Sequence, residues 1–173
     1  MILLSLGSNL SSSYGDRFKN LDLAISLLDS YGIKIKSKSS YYETPSYPDE
    51  TKPKYINIVV QVDSNLPPVD LASVLIFIEE KLGRIRNKKN DSRTCDIDII
   101  DYNGQILEFN YKDLVFKVPH IKLTERNFVL LPLYEIIPTW KHPSTKEKIN
   151  ILIDKLSDED KKSILKVNKS WYT

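Results

Sequence analysis

The sequence predicts an α+β fold, in which a mainly antiparallel sheet has helices packed on one face. The chain has 173 residues, which suits a single domain, residues 1–173, with its own core. Along it, apolar residues recur with a period of two in some segments and at helical spacing in others. These segments follow the order β-α-β-β-α-β, with additions after it. That order is typical of a ferredoxin-like βαββαβ core.

Several segments have the composition of short strands, because they are apolar or alternating and end at turn residues. The predicted strands are residues 1–6, 33–42, 55–62, 96–102, 105–109, 114–118 and 163–167. Asn103-Gly104 is typical of a tight hairpin turn, so we expect residues 96–102 to form a hairpin with residues 105–109.

Four further segments repeat apolar residues at helical spacing. The predicted helices are residues 18–28, 68–82, 128–136 and 149–156. Asp16 is the expected N-cap of the first helix, and a proline pair opens the second. We expect Pro132 to start or kink the third helix, and Ser144 or Thr145 to cap the fourth.

Composition argues against several classes of protein. The net charge of +2 and a pI near 8.4 are too small to indicate a nucleic-acid partner. No apolar run approaches the roughly 18 residues of a membrane span, and the N-terminal run is too short for a signal peptide. The single cysteine, Cys95, excludes an internal disulfide and falls on the apolar face of its strand, as a core residue. We therefore expect a cytoplasmic protein without a membrane partner.

The most informative segment is Arg93-Thr94-Cys95-Asp96-Ile97-Asp98. Strand side chains alternate, so Asp96 and Asp98 project from one face. Two adjacent carboxylates repel each other, and Mg²⁺ is a suitable counter-ion because it prefers carboxylate oxygens and takes other ligands from water and phosphates. The basic run at residues 84–93 could bind those phosphates through guanidinium groups. On this pattern alone, a solvated polar strand face is the alternative interpretation.

Seven short motifs, in order, resemble those of the 6-hydroxymethyl-7,8-dihydropterin pyrophosphokinase family of folate biosynthesis. They are Leu6-Gly7-Ser8-Asn9-Leu10, Tyr42-x-Thr44-Pro45, Tyr55-x-Asn57, Glu79-x-x-x-Gly83-Arg84-x-Arg86, Arg93-Thr94-x-Asp96-x-Asp98, Pro119-His120 with Arg126-x-Phe128, and Pro132-Leu133 with His142-Pro143. The resemblance extends over about residues 2–143. Residues 144–173 lie outside it.

The resemblance implies transfer of the β,γ-pyrophosphoryl group of ATP to the hydroxymethyl oxygen of the pterin, with release of AMP. It implies two Mg²⁺ ions bound by Asp96 and Asp98. It also implies a monomer whose product passes to dihydropteroate synthase. Many family members have Trp-Gly-Pro where this chain has Asn90-Asp91-Ser92, so the role of that tryptophan is absent or supplied otherwise.

The resemblance also implies roles for individual residues. Those implied to be catalytic are Arg86, Arg93, Asp96 and Asp98. Those implied to bind ATP are Glu79, Arg84, Arg86, Arg93, Ile99, His120 and Arg126. Those implied to bind the pterin are Gly7, Thr44, Pro45, Tyr55, Asn57 and Phe128. Residues 84–93 would form a mobile lid over the phosphates, and the pterin ring would stack between two aromatic side chains, Tyr55 and Phe128.

Two other functions fit parts of the pattern. A metal-dependent nuclease or nucleotidyl transferase also uses paired aspartates, but it leaves Tyr55, Asn57 and Phe128 unexplained. A ferredoxin-like RNA-binding module places aromatic residues on its strands for base stacking. In such a module, Asp96 and Asp98 would repel phosphates unless a metal were bound. Release of AMP from ATP that depends on the pterin distinguishes all three.

Overall fold

The structure of the chain, a computed structural model, describes residues 1–85 and 91–172. Its strands are β1 (Ile2–Ser8), β2 (Lys34–Lys38), β3 (Tyr41–Thr44), β4 (Tyr55–Asp63), β5 (Asp96–Tyr102), β6 (Leu107–Tyr111), β7 (Leu114–Val118) and β8 (Leu165–Val167). Its α-helices are α1 (Arg17–Ser30), α2 (Pro68–Lys81), α3 (Asn127–Ile136), α4 (Ile149–Asp154) and α5 (Asp158–Lys162). Two 3₁₀ turns span Leu123–Glu125 and Lys169–Tyr172.

The main sheet has six strands in the order β5-β1-β4-β3-β8, with β2 also paired to β4. Each of these pairings is antiparallel. This arrangement confirms the predicted α+β, ferredoxin-like class. The N-cap of α1 is also confirmed, since the Asp16 carboxylate accepts a hydrogen bond from the Lys19 backbone N–H at 2.8 Å.

The predicted strand over residues 33–42 is divided into β2 and β3 by a bulge at Ser39-Ser40. The register shifts by one residue there, from Lys38 opposite Val60 to Tyr42 opposite Asn57. The Ser39 hydroxyl accepts a hydrogen bond from the Val59 N–H at 3.0 Å. That bond takes the place of a ladder hydrogen bond and makes room for the extra residue. The bulge moves the end of β3 to a different register on β4.

The predicted hairpin between residues 96–102 and 105–109 is wrong. Asn103 and Gly104 do form a tight turn with φ of 54° and 69°. However, β6 then leaves the main sheet and pairs with β7 in a separate two-stranded sheet. Phe109 and Phe116 stack at 5.2 Å on this ribbon and pack against the main core. We attribute this to the free energy of burying the two rings, which favours the separate ribbon over pairing of β6 with β5.

Apolar cores lie on both faces of the sheet, whereas the sequence predicted helices on one. Neighbouring residues of β1 and β4 point to opposite faces, so Leu4 and Ile58 pack with α1 and α2. Leu3 and Val59 pack instead with α3, α4 and Trp140. The helices that follow the βαββαβ core therefore form a second layer. One of them, α3, begins next to the polar end of β5.

The C-terminal elements differ from the prediction in their details. Helix α4 begins after Lys148, and neither Ser144 nor Thr145 caps it. Their backbone N–H groups instead donate to Nδ1 of His142, each at 3.2 Å. Pro132 lies inside α3 and does not start it. Among the residues that the structure describes, no helix is both long and apolar enough to cross a membrane.

Candidate active site

Asp96 and Asp98 of β5 each pair with arginine, and together they bring three arginines to one end of the sheet. Oδ1 of Asp96 accepts a hydrogen bond from Arg84 Nη1 at 2.5 Å, and its Oδ2 accepts one from Arg93 Nη1 at 2.7 Å. Oδ2 of Asp98 accepts one from Arg126 Nη1 at 2.8 Å. The side chains of Asp96 and Asp98 are 27% and 35% exposed, so solvent and ligands can reach both carboxylates.

Arg84 is oriented by Glu79, a buried carboxylate of α2. Oε1 of Glu79 accepts hydrogen bonds from Arg84 Nη1 at 2.5 Å and from the Ile97 N–H of β5 at 2.7 Å. Glu79 is only 2% exposed, and the Arg84 side chain is 9% exposed. In this structure Glu79 therefore positions Arg84 beside Asp96. Its predicted contact with ATP stays a prediction.

These arginines also determine the charge of Asp96. Burial alone would raise the pKa of this carboxyl, but Arg84 and Arg93 outweigh burial and hold its pKa below the usual value. Asp96 is consequently ionised at neutral pH. An ionised carboxylate is the form that binds a divalent cation.

His120 and Arg126 converge beside Asp98. Nδ1 of His120 accepts a hydrogen bond from the Lys122 N–H at 3.0 Å, which assigns the proton of the neutral ring to Nε2. Nε2 lies 3.2 Å from Arg126 Nη2, and because both atoms are donors in this tautomer, they do not hydrogen-bond to each other and their hydrogens are left for an acceptor. Burial lowers the pKa of His120, and Arg126 adds to this effect while Asp98 opposes it. Two convergent donors are suited to an oxyanion such as a phosphate oxygen.

Asn9 joins three segments that are distant in sequence, and sequence reasoning assigned it no role. Its Oδ1 accepts a hydrogen bond from the Arg93 N–H at 2.7 Å. Its Nδ2 donates to the Pro53 carbonyl at 3.0 Å and to Ser92 Oγ at 3.1 Å. Asn9 is 1% exposed, so its amide needs these partners. The only sequence signal was its place in the Leu6-Gly7-Ser8-Asn9-Leu10 motif.

The predicted edge-binding residues of the heterocycle pocket meet where β1, β3 and β4 adjoin. Nδ2 of Asn57 donates to Thr44 Oγ1 at 3.0 Å, and both residues are buried. Gly7 lies opposite Asn57 in the β1–β4 register. A Cβ at Gly7 would lie 3.1 Å from Asn57 Oδ1, so glycine lets the amide approach closely, and a larger residue would displace it by a few tenths of an ångström. Pro45, which is half-buried, follows directly on β3.

Each of the two predicted stacking rings lies against an arginine of the carboxylate site. Arg93 Cζ is 5.8 Å from the centroid of Tyr55, and its Nε donates to the tyrosine hydroxyl at 3.0 Å. Arg126 Cζ is 5.5 Å from the centroid of Phe128. Both rings are half-buried, and Phe128 also packs against the core under α3. The polar and aromatic halves of the site are thus in direct contact.

Two predicted site residues, Ile99 and Arg86, cannot be linked to the site by any contact among the residues that the structure describes. Ile99 is 3% exposed in the main core, and its contact with ATP stays a prediction. Arg86 lies outside the described residues, as do residues 87–90 of the predicted lid. A cavity of about 380 Å³ is lined by Leu10, Lys52, Gly83, Ile85, Asp91, Ser92, Arg93 and Thr94.

Comparison with known proteins decides the family. The family model described as 7,8-dihydro-6-hydroxymethylpterin-pyrophosphokinase (HPPK) matches residues 3–138. The chain belongs to this family. A 2-amino-4-hydroxy-6-hydroxymethyldihydropteridine pyrophosphokinase of Synechocystis sp. is 36% identical over 89% of this chain and 75% of its own length.

Other relatives are longer than this chain. The folic acid synthesis protein fol1 of Schizosaccharomyces pombe is 32% identical over 90% of the chain, which spans only 20% of that protein. A crystal structure of wild-type Plasmodium falciparum HPPK-DHPS with pteroate has a TM-score of 0.71 at 17% identity. That match covers 89% of this chain and 44% of the Plasmodium chain, and it shows the same fold.

Proposed function

We propose that the chain transfers the β,γ-pyrophosphoryl group of ATP to 6-hydroxymethyl-7,8-dihydropterin and releases AMP, as a step of folate biosynthesis. The hydroxymethyl oxygen forms a bond to the β-phosphorus. The bond from that phosphorus to the α,β-bridging oxygen breaks, and the hydroxyl proton is lost. The single observation that supports this reaction best is that Arg93 and Arg126 each contact both a strand aspartate and a pocket aromatic ring. One site can therefore bind a polyphosphate and a heterocycle side by side.

The donor set of Asp96 and Asp98 fits Mg²⁺. The part of the chain that the structure describes contains no group of three or more His, Cys, Asp or Glu residues that could bind a metal. Two carboxylates leave most of the coordination to water and phosphates, as Mg²⁺ prefers. We assign two ions to the pair. When bound, the metal would neutralise phosphate charge and lower the pKa of a coordinated hydroxyl.

The arginines have a second partner available once the carboxylates bind metal. In the ligand-free chain, Arg84, Arg93 and Arg126 neutralise the aspartates. A cation on the aspartates weakens these pairs, and the guanidinium groups are then free to donate to phosphate oxygens. Their donors would stabilise charge that spreads over the transferred group in the transition state. Glu79 and Asn9 keep Arg84 and Arg93 in place during this exchange of partners.

The pterin would bind between β1, β3 and β4. Asn57 and Thr44 provide amide and hydroxyl groups for the polar edge of the ring, and Gly7 leaves room for their close approach. Tyr55 and Phe128 provide apolar faces for stacking. Pro45 borders the same pocket. This pairing of polar edge and aromatic face is suited to a flat heteroaromatic ring that carries amide-like groups.

We also assign the chain a place before dihydropteroate synthase, as a cytoplasmic monomer. The product is a diphosphate ester, whose diphosphate is a good leaving group for the next substitution. A solved structure named HPPK-DHPS has both names in one protein, which supports consecutive reactions. The single cysteine suits a reducing compartment.

The deciding experiment measures AMP production from ATP and Mg²⁺ with and without the pterin. We expect AMP and the pterin diphosphate to appear in equal amounts, and only when both substrates are present. AMP without pterin, or cleavage of nucleic acid, would favour the nuclease or nucleotidyl transferase reading. Binding of RNA without any turnover would favour the RNA-binding reading.

A further inference from the structure

The C-terminal segment, defined here as residues 165–172, lies beyond the family match and packs next to the proposed pterin pocket. Its strand β8 pairs with β3, with Glu43 opposite Leu165 and Tyr41 opposite Val167. Strand β3 has four residues, ends at Thr44 and leads into the loop that begins with Pro45. With β4 on one side and β8 on the other, β3 is paired on both edges. A strand this short would fray more readily if it were paired on one edge alone.

The turn after β8 attaches the segment to α1. Lys169 Nζ lies 2.8 Å from Asp22 Oδ2, and the Tyr41 hydroxyl donates to the same carboxylate. The ring of Tyr172 lies 5.2 Å from that of Phe18. The segment is thus fixed by this ion pair and an aromatic contact, by a second ion pair at 3.2 Å between Lys166 Nζ and Glu135 Oε1 of α3, and by the strand pairing.

Glu43 connects the segment to the pocket. It is 8% exposed, and its Oε2 accepts a hydrogen bond from the Tyr172 hydroxyl at 3.0 Å. Lys54 Nζ donates to Oε1 at 3.3 Å, and Arg17 Nη1 reaches both Oε2, at 3.5 Å, and the Lys54 carbonyl, at 2.6 Å. Four side chains from separate parts of the chain therefore meet behind β3.

This cluster lies directly behind residues that we assign to pterin binding. Glu43 precedes Thr44, and Lys54 precedes Tyr55. Thr44 and Tyr55 are partners in the β3–β4 register. Because neighbouring strand residues point to opposite faces, Glu43 anchors the strand from the side away from the Thr44 hydroxyl. Its contacts determine how closely the two pocket residues approach each other.

We infer that the C-terminal segment positions the pterin pocket, through the contact of Tyr172 with Glu43, and has no part in nucleotide binding. The inference rests on the proposed function. Tyr172 and Glu43 are positioning residues, since neither is assigned to contact a substrate. The phosphate-binding arginines Arg84 and Arg126 pair with Glu79, Asp96 and Asp98, and among the described residues no hydrogen bond or ion pair joins either of them to the segment.

The test compares Tyr172→Phe, Glu43→Gln and the double variant in the full chain. Calorimetry measures the Kd of the pterin and, separately, of an unreactive ATP analogue with Mg²⁺. We expect Tyr172→Phe to weaken pterin binding about 3- to 10-fold, the effect of one lost hydrogen bond whose donor, Tyr172, is 43% exposed. Nucleotide affinity should change less than about twofold. The double variant should lose little more than Glu43→Gln alone, because both changes weaken the same contact.

Tyr134→Phe is the matched control, because Tyr134 is 44% exposed on α3 and its hydroxyl has no hydrogen bond to the segment among the described residues. It should leave both affinities unchanged. If Glu43→Gln unfolds, Lys169→Ala tests the segment from its other anchor and should also weaken pterin binding. Unchanged pterin affinity in Tyr172→Phe would overturn the inference, as would equal losses for pterin and nucleotide. A wild-type chain that binds no pterin would instead refute the proposed function.

Discussion

Asn9 Oδ1 accepts a hydrogen bond from the Arg93 backbone N–H at 2.7 Å, although 84 residues separate the two. The Arg93 carbonyl accepts in return from the Asn9 N–H at 3.0 Å. Arg93 Nη1 in turn pairs with Asp96, so the turn after β1 sets the position of an arginine on the carboxylate site. The arrangement makes Asn9 a positioning residue for the proposed reaction.

Replacing Asn9 by Ala should lower kcat by about 10- to 100-fold, because small misplacements of catalytic groups have effects of this size. Substrate affinities should change less. Asn110→Ala, at an exposed position of β6, is the matched control and should keep wild-type kcat. Steady-state kinetics on both variants provide the measurement. A wild-type kcat in Asn9→Ala would show that Arg93 keeps its position without this amide.

Asp96→Asn and Asp98→Asn should each lower turnover at least about 100-fold at saturating Mg²⁺, as for loss of one preorganised charged group. The structure adds an expectation about stability. Asp96 is paired with two arginines, so its removal leaves the buried Arg84 with one carboxylate fewer and destabilises the fold. Asp113→Asn, on the exposed turn between β6 and β7, is the control for both readouts. Near-wild-type turnover in either site variant would contradict the metal-ligand assignment.

Phe128→Ala should weaken pterin binding by about 1–3 kcal/mol, the range for stacking of a base on an aromatic ring. Binding of an unreactive ATP analogue should change much less. Phe128 also packs against the core under α3, so Phe128→Leu serves as a variant that keeps most of the packing. Calorimetry with each ligand separates the two roles. If Phe128→Leu already weakens the binding of pterin and of the ATP analogue equally, Phe128 acts as a core residue and does not stack on the pterin.

Glu135 on α3 should make stability depend on pH in the acid range. Burial raises its pKa, but hydrogen bonds from Tyr42 and Ser40 outweigh burial and lower the pKa from 4.5. A lowered folded-state pKa means that the unfolded chain binds the proton more tightly. Its contribution is therefore complete above pH 4.5 and is lost as the pH falls through the folded-state pKa.

The measurement for Glu135 is urea unfolding of wild type and Glu135→Gln between pH 7 and pH 3. The wild type should have the larger free energy of unfolding at pH 7. The difference in free energy of unfolding between the two proteins should shrink as the pH falls below the ordinary pKa of 4.5. Glu125→Gln, an exposed glutamate on the 3₁₀ turn before α3, is the control. A difference that stays constant over this pH range would mean that the hydrogen bonds do not depend on the charge of Glu135.

Thr94→Val should keep or raise the stability of the ligand-free chain. Thr94 Oγ1 is buried and has no hydrogen-bond partner among the described residues. Removal of a buried hydroxyl without a partner should stabilise the folded chain by up to about 1 kcal/mol, whereas removal of a hydrogen-bonded hydroxyl should destabilise it. Thr44→Val is the contrasting variant, because Thr44 Oγ1 accepts from Asn57, and it should be destabilised. Denaturant unfolding of both variants tests the difference, and a larger loss in Thr94→Val would contradict it.

Local patterns in the sequence determined most of the secondary structure. Helical spacing of apolar residues and the Asp16 cap are enough to define α1, because a helix depends on neighbours three and four residues away. Strand alternation likewise placed Asp96 and Asp98 on one face and Cys95 in the core. The ordered motifs indicated the family, which the comparison with known proteins confirmed.

Tertiary structure decided the features that depend on distant parts of the chain. The bulge at Ser39 forms because its hydroxyl accepts a hydrogen bond from the Val59 N–H. The Asn103-Gly104 turn opens no hairpin because Phe109 of β6 and Phe116 of β7 stack on each other and pack against the main core. The aspartates were expected to repel each other, yet each pairs with arginine from another element. Local patterns contain no information on such partners, because a side chain's charge and hydrogen-bond state are set by whatever the fold brings within a few ångströms of it.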